Sequence, residues 1–123
     1  MGRIQAMKVL TICSAGTVRS VSLAHVLKSR YGIDAIPAGH DLNSQETLDM
    51  LSDWADKIIV MQPKYAAGLP MRNAHKIIKV DVGTDIWGSA LHPDLLRKTT
   101  RIARDLARRG IIPTPQDEAA LSR

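Results

Sequence analysis

Four short apolar runs, separated by stretches with helical spacing or turn residues, constrain this chain more than any other feature. They are "MKVLTIC" at 7–13, "IDAIPAG" at 33–39, "KIIVM" at 57–61 and "HKIIKVDV" at 75–82. Runs of this length, rich in Val and Ile and bounded by small polar residues, Gly or Pro, read as strands, the second broken off by Pro37 and Gly39. Their apolar residues are nearly continuous rather than alternating, which marks strands covered on both faces, as in parallel sheets.

Helical patterns fill the gaps. "SVSLAHVLKSRYG" sets Val21, Ala24, Leu27 and Tyr31 at spacings of three and four, and Gly32 stops it. Asn43, three residues before Glu46, suggests a capping box, with Leu48, Leu51, Trp54 and Ala55 on one face of the helix it opens. Residues 63–69 read as a short helix or turn. Pro93 suits the first position of a last helix, lined by Leu95, Leu96, Thr99, Ile102, Ala103 and Leu106 and ended by Gly110. Strands alternating with helices predict an α/β fold in three layers. Right-handed crossovers make it doubly wound, a four-stranded parallel sheet in the order 2-1-3-4 with helices on both faces. With 123 residues the expectation is one domain over 1–123, with flexible ends at 1–6 and 111–123.

Composition narrows the function. Apolar residues make up 45%, Phe is absent, and Ile, Leu, Val, Ala and Met must fill the core. The single cysteine excludes an internal disulfide and any multi-cysteine metal site. No Cys, His and Asp spacing suggests a metal, and no cofactor is implied. A free thiol suits a reducing compartment, and no run of about 18 apolar residues or signal-like stretch is present, so a cytoplasmic protein without a membrane span is expected. The net charge of +5 favours anionic partners. Arg97, Lys98, Arg101, Arg104 and Arg108 cover the last helix, but no aromatics interleave with them, which disfavours nucleic acid. The oligomeric state is left open.

The chemistry concentrates in "CSAGTVRS", residues 13–20. Cys13 ends the first strand and Arg19 opens the first helix. In a doubly wound sheet that carboxyl edge is where ligands bind. Residues Ser14, Ala15, Gly16, Thr17, Val18 and Arg19 are enough to ring one phosphate with backbone N–H groups at a helix N-terminus. Gly16 can take the positive φ that so tight a loop needs. Arg19 offers a planar fork for two phosphate oxygens. The same field lowers the thiol pKa of Cys13, and Ser20 can hydrogen-bond the sulfur. The competing reading is a small, buried, inert cysteine.

This stretch resembles the Cys-x5-Arg-Ser phosphate loop of the low-molecular-weight protein tyrosine phosphatases. "SDWADKIIVM" resembles the segment entering that family's third strand, and "VDVGTDIWGS" its acid loop. The likeness runs from about residue 7 to about 109, with the same element order. Ala15, Gly16, Val18 and Val21 depart from the family's usual Gly, Asn, second Cys and Pro, and the chain is shorter than typical members. The resemblance implies a four-stranded parallel sheet and metal-free hydrolysis of a phosphomonoester, usually phosphotyrosine, through a phosphocysteine. The substrate would be a phosphorylated protein or a small aryl phosphate. It assigns Cys13 as nucleophile, Arg19 as clamp and Ser20 as thiolate partner. Asp85 is the expected general acid, with Asp81 as its rival. Trp87 and His40 are candidates for the substrate pocket, Trp87 equally for the core; His92 can cap the last helix. Two other readings stay open: a catalytically weak phosphate- or phosphoprotein-binding module, and an arsenate reductase using an external thiol.

Overall fold

The computed structural model describes residues 6–114. Strand β1 (Lys8–Cys13) leads to helix α1 (Arg19–Tyr31), β2 (Asp34–Gly39), α2 (Gln45–Trp54) and β3 (Lys57–Val60). Two 3-10 turns, Pro63–Ala66 and Met71–Lys76, precede β4 (Ile77–Lys79), and α3 (Pro93–Arg108) closes the order. The strands form one sheet in the order β2-β1-β3-β4, and every pair is parallel. The fold is α/β, with helices on both faces of the sheet, as the alternation predicts.

Register explains the placement of the site. Val9, Leu10, Thr11 and Ile12 on β1, and Ile58, Ile59 and Val60 on β3, are 0% exposed, which is why these central strands carry apolar residues at successive positions. Each such side chain contributes about 1.5–3 kcal/mol by leaving water. Thr11 faces α1 and donates its hydroxyl to the carbonyl of Ser20 at 2.8 Å. Cys13, two residues on, emerges on that same face at the carboxyl end of the strand. Helices α1 and α3 pack together there, joined by the buried hydroxyls of Ser22 and Thr99 at 3.0 Å. Thr99 donates to the Leu95 carbonyl at 3.1 Å, so Ser22 is the donor of that pair.

Four sequence expectations change. Strand β2 runs through Pro37 to Gly39 rather than breaking, because it lies at the sheet edge, where a missing N–H does no harm. The N-cap of α2 is Ser44, whose hydroxyl accepts from the Thr47 N–H at 3.1 Å. Asn43 instead accepts from the Gly39 N–H at 2.6 Å, so the Asn43–Glu46 capping box does not form. The fourth strand covers only Ile77–Lys79, since His75 and Lys76 belong to a 3-10 turn. That turn is held to α2 by Arg72 and Asn73, both bonded to Asp53. In the predicted tail, Ile112 is 2% exposed and packs in the core. The remainder of the two predicted ends, 1–5 and 115–123, lies outside the described residues. Among the described residues no helix is long and apolar enough to cross a membrane.

Candidate active site

The site starts where β1 stops. Cys13 is 2% exposed, and its Sγ is surrounded by donors rather than by apolar side chains alone. The Ser20 hydroxyl lies 3.1 Å from Sγ, and the Gly16 N–H donates to it at 3.2 Å. Burial alone would raise the thiol pKa. The Ser20 hydroxyl, the backbone N–H groups of Ser20 and Gly16 and the charge of Arg19 outweigh it, and hold the Cys13 thiol below its ordinary value.

Residues 14–18 bend around this sulfur. Gly16 turns the loop with φ of +76°. The loop rests directly on backbone: a Cβ on Gly16 would stand 2.6 Å from the Gly39 nitrogen, and one on Gly39 would stand 2.5 Å from the Ala15 carbonyl carbon. Two bonds fasten that approach, from the His40 N–H to the Cys13 carbonyl at 2.7 Å and from the Asp41 N–H to the Ser14 carbonyl at 2.9 Å. Helix α1 begins after Val18 with no side-chain cap and no acidic residue in its first turn. Among the described residues, the N–H groups of Ala15, Thr17, Val18 and Arg19 have no hydrogen-bond acceptor in the protein. A helix start with free amide hydrogens and no acidic residue in its first turn carries partial positive charge and suits an anion.

Arg19 supplies the rest of the charge. It is 1% exposed. Its Nη1 donates to Gln62 Oε1 and to the Gly83 carbonyl, both at 2.7 Å. Its Nη2 donates to Ser14 Oγ at 2.9 Å and to the Tyr65 hydroxyl at 3.1 Å. Four of the five guanidinium N–H groups are thereby used, and the fifth, on Nε, is buried without a partner. No carboxylate of the described residues lies within ion-pair distance of this cation. A buried charge with only neutral partners and one orphaned donor is costly by itself, and an oxyanion would supply the counter-charge. With both Nη groups already bonded, the two-oxygen fork expected from the sequence is taken up by protein groups, and Nε is the one donor left over.

The predicted outer residues divide. Gly83 ties the loop after β4 to Arg19, which sets Asp85 two residues from a partner of that guanidinium. Asp85 is exposed, with its carboxylate bonded to no group of the described residues. Asp81 is committed instead to its own turn, accepting from the Gly83 N–H at 2.8 Å. His40 joins the site indirectly: its ring nitrogens face Asp41 Oδ1 at 2.9 Å and the Ala67 carbonyl at 3.0 Å. Its ring centroid is 5.5 Å from that of Tyr65. Trp87 is half-buried and meets α3, with His92 edge-on at 5.6 Å and the Lys98 ammonium 5.5 Å above its ring. His92 caps α3, its Nδ1 accepting from the Asp94 N–H at 3.1 Å.

Sequence patterns do not mark Gln62, Tyr65 or the Gly83 carbonyl as site groups, and mark Gly39 only as the end of a strand. One signal was available for Gln62, the first polar residue after the third apolar strand, at the same carboxyl edge as Cys13. Nothing in one sequence marks a carbonyl or a backbone contact between Gly39 and Ala15. No group of three or more His, Cys, Asp or Glu gathers as a metal site among the described residues. Comparison with known protein families, with curated proteins and with solved structures finds no match.

Proposed function

We propose that this chain is a cysteine-dependent phosphomonoester hydrolase of the low-molecular-weight tyrosine phosphatase type, acting on phosphotyrosine in proteins or on similar aryl phosphates. The reading is carried by one arrangement: Sγ of Cys13, bonded by Ser20 and Gly16, beneath free amide N–H groups and beside a buried arginine with only neutral partners.

The chemistry follows from that geometry. The free amide hydrogens of Ala15, Thr17, Val18 and Arg19 and the Nε–H of Arg19 hold the phosphoryl oxygens, with the guanidinium charge behind them. The Cys13 thiolate attacks phosphorus in line, forming an S–P bond as the P–O ester bond breaks. Asp85 gives its proton to the departing oxygen, and its carboxylate then takes a proton from water. That water attacks the phosphocysteine; phosphate leaves, and sulfur departs as a thiolate received by the Ser20 hydroxyl. A nucleophile that must stay reduced places the protein in a reducing compartment such as the cytoplasm.

The test is hydrolysis of p-nitrophenyl phosphate with chelator present. Cys13→Ser is expected to abolish turnover while inorganic phosphate still binds; equal activity in the two proteins rules the proposal out. The acid is assigned by a second pair. Asp85→Asn is expected to lower kcat by about 10²-fold or more, as general-acid loss does. Asp81→Asn, which disturbs only a turn, is expected to cost far less; the reverse order would assign the acid to Asp81.

A further inference from the structure

We propose that Gln62 determines the anion affinity of the cradle by holding Arg19 in place without neutralising it. The inference rests on the hydrolase reading only in requiring that the cradle bind a tetrahedral oxyanion.

The arginines among the described residues divide in a telling way. Three exposed ones meet carboxylates: Arg72 with Asp53, Arg97 with Asp94, and Arg109 with Asp105. The buried one, Arg19, meets an amide, a carbonyl and two hydroxyls. Burial is where a cation most needs a counter-charge, so an all-neutral shell there is the unexpected arrangement.

Gln62 is the central member of that shell. A guanidinium can only donate, so the Gln62 atom facing Nη1 at 2.7 Å is the carbonyl oxygen. The same oxygen accepts from the Tyr65 hydroxyl at 3.0 Å, and Tyr65 accepts from Nη2 at 3.1 Å. Arg19, Gln62 and Tyr65 thus close a ring of hydrogen bonds that fixes the plane of the guanidinium. The Tyr65 ring, 5.6 Å from the guanidinium carbon, adds a contact from the side. Gln62 sits where β3 gives way to the Pro63–Ala66 turn, with its backbone extended, so its side chain is delivered from a rigid edge.

A glutamate at this position would offer the same oxygen to the same two donors and one negative charge besides. It would pair with Arg19 and leave less positive potential for a phosphate dianion. Isosteric replacement therefore separates holding from neutralising. A role in packing alone predicts no such separation.

The experiment compares wild type, Gln62→Glu and Gln62→Met by calorimetric titration with inorganic phosphate and by urea unfolding. Gln62→Glu is expected to fold, to unfold at or above the wild-type midpoint, and to bind phosphate at least about tenfold more weakly. Gln62→Met, which keeps size but removes the acceptor, is expected to unfold at lower urea and to lose clearly less affinity than Gln62→Glu. The inference is overturned if Gln62→Glu binds phosphate as tightly as wild type. It is overturned equally if that variant is unfolded, or if Gln62→Met loses as much affinity. Failure of wild type itself to bind phosphate would remove the hydrolase reading as well, whereas tight binding by both wild type and Gln62→Glu removes this inference alone.

Discussion

Arg19 and Cys13 each solve a problem that the other creates. A thiol 2% exposed would ordinarily stay protonated, and a guanidinium 1% exposed would ordinarily want a carboxylate. Set in one cradle, the donors of Ser20 and Gly16 and then the cation favour the thiolate, and the thiolate partly offsets the cation. The consequence is measurable as the pH dependence of Cys13 alkylation by iodoacetamide. Its midpoint is expected below the free-thiol value of about 8.5, and a midpoint at or above it would contradict the assignment. The sign for stability follows. The folded-state value is depressed, so the thiolate contributes stability that is fully present above the unfolded value. That stability is lost as pH falls through the folded one. The stability gap between wild type and Cys13→Ser should narrow on acidification. The cysteine–arginine spacing was legible in the sequence because the two residues stand at the ends of one short loop. The partners of Arg19 were not, because Gln62, Tyr65 and Gly83 come from other elements, 43 or more residues away.

The ends of β1 and β2 meet at the site through backbone rather than through side chains. The turn after β1 lies on the end of β2, and the approach of Gly16 and Ala15 to Gly39 leaves no space for a Cβ. The strand register pairs Cys13 with Gly39, so the two loops leave the sheet side by side and must touch. Gly39→Ala is expected to destabilise the protein by about 1–3 kcal/mol, the usual effect of overpacking, and to weaken phosphate binding by displacing Ala15. Urea unfolding and phosphate titration check both, and a variant unchanged in each would show that the loops are free to part. In the sequence, Gly39 read as a strand terminator. That reading missed its second use, because only the parallel pairing of β1 with β2 brings residues 15 and 39 together.

At the scale of the whole molecule, the two faces of the sheet are held by different means. On one face α1 and α3 pack over β1, with the Ser22–Thr99 bond inside their contact. Away from that contact, α2 is pinned to the Met71–Lys76 turn by ions. Arg72 donates through Nε and Nη2 to both Asp53 oxygens at 2.9 Å, and Asn73 donates at 2.8 Å. The Arg72 bonds, then Asn73, lower the Asp53 carboxyl to about 2. With the folded value below the unfolded one, the pair contributes stability above about pH 4, lost as pH falls towards 2. Asp53→Asn should therefore be less stable than wild type at neutral pH, with the gap shrinking as pH falls from about 4 to 2, as read by urea midpoints. A constant gap across that range would refute the linkage. Period and punctuation determined the element order, the buried strands and the basic outer face of α3, since hydrophobic spacing and Gly and Pro act over a few residues. The same local logic placed Cys13 and Arg19 at the two ends of one loop. Tertiary structure alone decided that Arg19 is gripped by neutral groups, that Asn43 bonds Gly39 rather than capping α2, and that Gly39 bears the loop. Those contacts join residues distant in sequence, and the sheet's register, which no single segment encodes, is what sets them against each other.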